Sequence, residues 1–289
     1  MRVPSTRAFA TRSRFTLPLR LYSLYAMYAA STIIALVGIS VPAGIAIGLC
    51  FIATDAVLRF GGRREFRKFH AVLNTRIAGL ARGEFEVARD EFRAYAERTK
   101  LPTIATLARL GLGAALTRLG AHAEVKALSL DTDARFSGTL TTLTLYPSSA
   151  QGVAFSCALL GEIEAAERWV AEAESRRAVH RSASTFDASQ IYTRALIACR
   201  RGDPTAAATL LDDHWTACEV ALPGSELRPM RVVRAFAVAM AGGPRDAGRA
   251  EQMIAALRPM AYEREFAFLG ATWPEMDAFL AAHFNAPRS

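Results

Sequence analysis

The stretch "LARGEFEVARDEF" at residues 80–92 contains the pattern that decides the fold. A helix-like segment ends at Gly83, and an amphipathic segment begins directly after it. Glycine permits the left-handed backbone conformation in which a helix ends in a tight turn. A small residue, Ala88, stands five positions after the glycine, and a bulky one, Phe92, stands four positions further on. The stretch therefore predicts two helices joined by a glycine turn, with the alanine letting the second helix lie close against its neighbour.

The same pattern recurs around four later glycines, Gly120, Gly161, Gly202 and Gly242. Successive glycines of the five are 37, 41, 41 and 40 residues apart, which is more regular than chance would give. A single helical hairpin cannot bury its apolar stripe, whereas stacked hairpins form a continuous core. We therefore predict an all-α fold in which residues 61–289 form an α-solenoid of about five helix-turn-helix repeats.

The segment "GEFEVARDEFRAYAE" (83–97) resembles the tetratricopeptide-repeat signature: a glycine, an acidic residue and an aromatic, then alanine and an aromatic at fixed offsets. The resemblance extends over about 70–265, although the family's period is about 34 residues and the spacing here is closer to longer helical repeats such as HEAT. In the tetratricopeptide family, the first helices of successive hairpins line a concave groove that binds peptides or protein segments. The resemblance therefore implies a protein or peptide partner.

If that groove is present, the position two residues before each glycine should face it, which selects Arg118 and Arg200. Further back on the same face lie Tyr192 and Gln151. The resemblance implies that these four side chains contact the partner segment. The alternative is that they are ordinary surface or packing residues.

An apolar stretch without charged side chains, residues 21–54, precedes the repeats. As one helix its 34 residues would extend about 51 Å, whereas the hydrocarbon layer of a bilayer is about 30 Å thick. The stretch "GISVPAG" interrupts it, because Pro42 lacks an amide donor and glycines flank it. We predict a basic arm over 1–20 and a transmembrane helical hairpin with spans at 21–39 and 43–60, through which the chain contacts membrane lipid.

The charge distribution predicts the orientation of this hairpin. Residues 1–68 hold ten basic and two acidic side chains, while the other 221 residues hold 25 of each sign. Because basic residues concentrate on the cytoplasmic side of a membrane, both ends of the hairpin and the repeat domain should be cytoplasmic. The repeats carry no excess positive charge, so nucleic-acid binding is not expected.

Thirty-two Arg against three Lys, with abundant Ala, is typical of GC-rich coding and favours a bacterial inner membrane. A mitochondrial presequence in "MRVPSTRAFATRSRF" is the alternative, since this segment is rich in Arg, Ser and Thr. A single long kinked helix is the alternative to the hairpin. Asp55 is the one ionisable group inside the second span, and Arg59, four residues later, can pair with it.

Signatures of catalysis are missing from the sequence. It contains no phosphate-binding GxxxxGK[ST] loop, no GxSxG and no HExxH, and its Cys and His residues lack metal-ligand spacing. We therefore expect a non-enzymatic adaptor or scaffold with no cofactor and no metal ion. The alternatives are a membrane-bound enzyme with its site where hairpin and repeats meet, and a structural subunit of a membrane complex.

Two segments fall outside the repeat pattern. Residues 131–149, "DTDARFSGTLTTLTLYPSS", fit no unit and predict an ordered insertion or an extra short helix. A C-terminal helix is expected to begin at Pro274 and to seal the last repeat with its apolar residues. Proline at the first helical position also predicts helix starts at Pro102 and, with Asp203 as cap, at Pro204.

Overall fold

A computed structural model describes residues 65–180, 182, 185–222, 224–242 and 244–284. The predicted arm, both predicted membrane spans and the predicted Asp55–Arg59 pair lie outside these residues. Within the described part of the chain, no helix combines the length and the apolar character that crossing a bilayer requires. From Leu73 onward the described residues form one compact unit, and every contact reported below lies within it.

The described residues are helical throughout and contain no strand, which confirms the predicted all-α class. Within them, twelve helices follow one another: α1 (65–80), α2 (Phe85–Arg98), α3 (Pro102–Arg118), α4 (His122–Thr142), α5 (Tyr146–Leu160), α6 (Ile163–Arg177), α7 (Phe186–Arg200), α8 (Pro204–Ala221), α9 (Gly224–Ala241), α10 (Pro244–Ala255), α11 (Ala267–Gly270) and α12 (Pro274–Phe284).

All five glycines singled out in the sequence adopt the left-handed conformation, with φ between 75° and 86°. Each stands between two helices, so the chain forms five successive units: α1–α2, α3–α4, α5–α6, α7–α8 and α9–α10. Second helices pack against the first helix of the following unit, as α2 does against α3 and α4 against α5. The result is a repeat-like, solenoid-like array of helices, as the glycine spacing predicted.

The turn at Gly161 shows how each first helix ends. The amide of Gly161 donates to the carbonyl of Ala158 (3.1 Å), and the next amide, of Glu162, donates to the carbonyl of Cys157 (2.9 Å). This pair of bonds is the Schellman motif, in which the left-handed residue turns the chain back onto the last helical carbonyls. The same two bonds form at the turns of the first, second and fourth units.

The residues that follow these turns are buried as their spacing predicted. The small positions five residues after the glycine are at most 6% exposed: Ala88, Val125, Ala166 and Ala207. The bulky positions four residues further on are also in the core: Phe92, Val170 and Leu211. Each second helix therefore buries the same face in successive units.

Of the two alternatives for 131–149, the structure favours the extra short helix: a short helical stretch follows a kink at Phe136 and continues α4 to Thr142. Helix α4 extends through Thr142, with a local bend at Phe136 (φ −119°, ψ 21°). A turn with Thr144 at φ 58° then leads into α5 at Tyr146. The second helix of this unit is therefore 21 residues long, which accounts for a segment that fitted no repeat.

A buried ion pair holds this extended helix against the next unit. Arg176, only 3% exposed, donates from Nη2 to Asp133 Oδ2 (2.9 Å), and the Ser149 hydroxyl donates to Asp133 Oδ1 (2.7 Å). The guanidinium carbon lies 4.1 Å from the ring centroid of Tyr146. Because every charged group has a partner, the polar residues of 131–149 can be buried without an unpaired charge.

The predicted helix starts are confirmed. Proline occupies the first position of α3, α8 and α12, and the Asp203 side chain accepts a hydrogen bond from the amide of Ala206 (2.9 Å). The terminal helix α12 packs against the fifth unit, where the rings of Phe279 and Phe236 lie 5.4 Å apart.

Replacing a turn glycine should cost stability without any steric clash. A Cβ at Gly202, where φ is 86°, would meet nothing within 4 Å, so Gly202→Ala isolates the cost of the left-handed backbone. We expect the free energy of unfolding to fall by about 1 kcal/mol. Gly248→Ala is the matched control, because this helical glycine also faces open space, and it should gain about 0.5–1 kcal/mol. Urea unfolding followed by circular dichroism measures both; equal effects of the two variants would contradict the assignment.

Candidate functional site

The first helices of four units line a cavity of about 290 Å³. Its walls are largely apolar and include Phe155 from α5, Phe186 from α7, Pro229 from α9 and Phe268 from α11. These helices are brought together by the successive glycine turns, which place each first helix on the same side of the array. The cavity therefore lies among the first helices of successive units, and the partner groove stays a prediction.

Three of the four residues predicted for that groove line the cavity: Arg118, Gln151 and Tyr192. They come from α3, α5 and α7. The fourth, Arg200, lies outside the lining, at the end of α7 beside the glycine turn. The four selected residues are thus divided between the cavity and the turn edge, and their contact with a partner stays a prediction.

Each of the three lining residues has a buried polar atom without a hydrogen-bond partner among the described residues. These atoms are Arg118 Nη1, Gln151 Oε1 and the Tyr192 hydroxyl. Gln151 is 3% exposed, and its Nε2 already donates to Thr193 Oγ1 (2.6 Å) and to the carbonyl of Ser189 (3.1 Å). Buried polar groups are nearly always paired, and an unpaired one costs about 1–3 kcal/mol. The residues of the cavity wall therefore keep one donor, one acceptor and one hydroxyl that no described residue pairs.

The charges at the cavity partly balance. Glu226 lines the cavity from α9 and is solvent-accessible. Desolvation by the surrounding chain still raises the pKa of its carboxyl above the ordinary value, and nearby Arg118 opposes part of that rise. Burial raises the pKa of the Tyr192 phenol, which therefore stays protonated at neutral pH. The cavity thus offers one positive and one negative group to a ligand and has no strong excess of either sign.

Residues 258–273, which we call the C-terminal strap, follow the fifth unit and return to the turn of the first. The rings of Tyr262 and Phe85 lie 5.2 Å apart in an edge-to-face contact. A side chain at Gly83 would place its Cβ only 2.9 Å from Tyr262 Cγ, so the strap uses the space that this glycine leaves. From there the strap runs along the glycine turns of the next units.

At the second turn, the strap packs on both sides of Gly120. His122 Nε2 lies 2.7 Å from the carbonyl oxygen of Phe268, and the Arg118 guanidinium carbon lies 4.7 Å from the Phe268 ring centroid. A Cβ at Gly120 would approach the Ala271 side chain to 2.8 Å. Arg118 therefore contacts the cavity and the strap at once.

Arg200 joins the third and fourth units to the strap. Its Nη2 donates to the carbonyls of Leu159 and Thr272, the latter at 2.9 Å, and its guanidinium carbon lies 4.6 Å from the Trp273 ring centroid. The Thr272 hydroxyl donates to the same Leu159 carbonyl (2.5 Å). The second predicted arginine thus holds a segment of its own chain.

A buried ion pair fixes the strap from within. Glu265, 4% exposed, accepts two hydrogen bonds from Arg228 of α9, Nε to Oε1 at 2.6 Å and Nη2 to Oε2 at 2.7 Å. The amide of Ala261 donates to the same carboxylate (3.0 Å). Bidentate pairing of this kind is strong and directional, so it sets the position of the whole segment.

Sequence reasoning missed Phe268, Trp273 and His122. The available signal was compositional: the stretch "YEREFAFLGATW" (262–273) holds four aromatic side chains, although aromatics make up 9% of the chain. It also lies outside every glycine unit, and nothing in the repeat pattern accounts for it. His122 shows no such signal, because its neighbours in sequence are ordinary for the second helix of a unit.

The cysteines and histidines of the described residues give no catalytic or metal centre. Burial raises the pKa of the Cys157 thiol to about 11 and that of Cys199 to about 12, so both are packed neutral thiols, as expected. Within the described ranges, no group of three or more His, Cys, Asp or Glu side chains is arranged to bind a metal ion.

Comparison of the chain with protein-family models, with curated proteins and with solved structures found no match. What can be said of its function therefore comes from its own residues.

Protonation of His122 should weaken the fold. Burial lowers the pKa of this histidine below the ordinary 6.5, the hydrogen bond to Phe268 opposes the shift, and nearby Arg200 lowers the pKa further. Because the unfolded chain binds the proton more readily, stability is lost as the pH falls below 6.5. We expect the decrease in free energy of unfolding between neutral and mildly acidic pH to be larger for the wild type than for His122→Gln. Parallel pH profiles of the two proteins would contradict the prediction.

Proposed function

We propose that this protein is a membrane-anchored adaptor whose tetratricopeptide-like array binds a segment of a protein partner on the cytoplasmic side. The observation that carries the proposal is the cavity, three of whose lining residues have buried polar atoms without partners. Unpaired buried atoms cost stability in the free protein, and a partner that pairs them recovers that free energy on binding. The geometry therefore favours a binding role for this face of the array.

The character of the cavity favours a peptide segment over a large cofactor. At about 290 Å³ it lies at the lower end of the usual range for ligand sites, about 300–1,000 Å³. Its wall surface is largely apolar, with aromatic rings and Pro229 among short hydroxyl side chains, and Arg118, Gln151, Tyr192 and Glu226 are the larger polar groups that can set orientation. Such a site suits one or two side chains of a bound segment, with Arg118, Gln151 and Tyr192 pairing polar groups beside them.

The anchor rests on the sequence. Residues 21–60 hold one ionisable side chain before Arg59, and basic residues flank them on both sides. An uncharged stretch of this length is suited to lipid, and the positive flanks favour a hairpin with both ends in the cytoplasm of a bacterium. The repeats would then stand at the cytoplasmic face of the inner membrane.

Extraction with alkaline carbonate tests the anchor. The full chain should stay in the membrane pellet, because two spans buried in hydrocarbon are not released when peripheral contacts are broken. A chain that begins at residue 61 is the control and should move to the supernatant. Release of the full chain by carbonate would contradict the anchor.

Filling the cavity tests the binding site. Gly152 lines the cavity on α5, and a Cβ there meets nothing within 4 Å, so Gly152→Leu adds a side chain to the cavity without disturbing the helix. With a photo-reactive amino acid at Phe155, the full chain should crosslink to a discrete protein in native membranes. We expect Gly152→Leu to lower the crosslinked yield by at least about fivefold.

The matched control is Gly248→Leu on α10, whose Cβ also faces open space but lies away from the cavity. It should leave the crosslinked yield unchanged. A second control places the photo-reactive group at Val220, which is 86% exposed on α8 and should not trap the same protein. Equal yields from the two leucine variants, at equal folding by circular dichroism, would remove the cavity from the proposal.

A further inference from the structure

The two arginines that the glycine spacing selects as partner contacts both hold the C-terminal strap. Arg118 stacks on Phe268, and Arg200 stacks on Trp273 and donates to the carbonyl of Thr272. Both are the last residues of first helices, α3 and α7. The edge that these helix ends form therefore already accepts a peptide segment, and that segment belongs to the same chain.

The strap is bound as a ligand would be bound, through its backbone and through matched side chains. His122 pairs with the carbonyl of Phe268, and Arg200 with the carbonyl of Thr272. The Thr272 hydroxyl in turn donates to the carbonyl of Leu159 at the end of α5. Between these points the strap passes Gly120, where the missing side chain makes room for Ala271.

We propose that the strap is an internal competitor: residues 268–273 fill the edge that receives the partner, and a partner segment of the same chemistry displaces them. This inference rests on the proposed function and names the partner's chemistry and its regulation. The stretch "FLGATW" (268–273) defines that chemistry: two aromatic residues five positions apart, a hydroxyl residue directly before the second, and no charge between them.

Each element of this chemistry has a counterpart on the receiving edge. The aromatic rings lie under the guanidinium groups of Arg118 and Arg200, an attractive cation–π contact. The hydroxyl donates to the Leu159 carbonyl. This carbonyl lies in the last turn of α5, where carbonyls receive no hydrogen bond from their own helix. The spacing of the two arginines therefore matches a segment whose aromatic rings are as far apart as those of Phe268 and Trp273.

Displacement of the strap is coupled to the cavity. Phe268 is part of the cavity wall, and Arg118 contacts both Phe268 and the cavity. Withdrawal of Phe268 therefore enlarges the cavity and removes the ring that covers Arg118, whose Nη2 still donates to the carbonyl of Ser225 (2.7 Å). A competing segment can begin at Ala271 and Thr272, which are exposed to solvent in the closed state.

Binding of the strap sequence in trans tests the competition. The probe is a fluorescein-labelled peptide with the sequence of residues 262–274, YEREFAFLGATWP, and the protein is the full chain in detergent. The wild type should bind it weakly because its own strap occupies the edge. The variant Phe268→Ala/Thr272→Ala, which weakens the strap and leaves the receiving edge intact, should bind it at least about tenfold more tightly by fluorescence anisotropy.

Two controls separate this result from non-specific binding. Adding Arg200→Ala to the strap variant should reduce the affinity again by about tenfold, because it removes the receiving group. The second control is a peptide with alanine at the positions of Phe268 and Thr272. Its affinity for the strap variant should not exceed the affinity of the unaltered peptide for the wild-type protein. If the strap variant is folded by circular dichroism and gains no affinity, or binds both peptides equally, the inference is overturned.

A milder variant serves if the double substitution does not fold. Thr272→Val keeps the side-chain shape and removes only the hydroxyl that donates to Leu159, so a gain of about threefold in peptide affinity is expected, and no gain overturns the inference. The crosslinking experiment with Gly152→Leu is independent of these results. If Gly152→Leu loses crosslinking and the strap peptide does not bind in trans, the strap is not an internal competitor, and the proposed adaptor function stands.

Discussion

The left-handed glycine turn, repeated about every 40 residues, is the constraint on which the structure depends. Because each turn ends a first helix in the same way, the C-terminal ends of these helices are collected along one edge of the array. Helix ends carry carbonyl groups without helical donors and the negative end of the helix dipole. Arg118 and Arg200 are each the last residue of a helix and are suited to that position. Both also bind the C-terminal strap at this edge.

The cavity is a second consequence of the same repetition. Stacking places α3, α5, α7 and α9 side by side, but their facing side chains do not fill the space between them. Polar groups such as the Gln151 amide and the Tyr192 phenol then lie at an apolar surface with only part of their hydrogen-bonding capacity used. A fold that needed only stability would place apolar side chains at these positions, whereas a binding face has reason to keep polar ones.

The sequence allowed prediction of those features that repeat. Glycine spacing located all five turns, since local backbone geometry alone determines them. Of the residues assigned to one face of the first helices, Arg118, Gln151 and Tyr192 line the cavity, and Arg200 lies at the turn edge. Prediction from the sequence failed where the residues in contact are distant from each other in the chain. Residues 131–149 fitted no repeat unit because the partner of Asp133, Arg176, stands 43 residues later. The strap escaped notice because Phe268 and Trp273 pack on helix ends that no local pattern connects to them.

The contact between Tyr262 and Phe85 changes how such an array can come apart. Open arrays of repeats lose their terminal hairpins first, since each hairpin is held only by its neighbour. Here the two ends are tied through the strap, so neither can fray without breaking contacts at the other. Unfolding should therefore be all-or-none across the five units, and folding should be slow for a helical protein, because its last contacts join residues far apart in the chain.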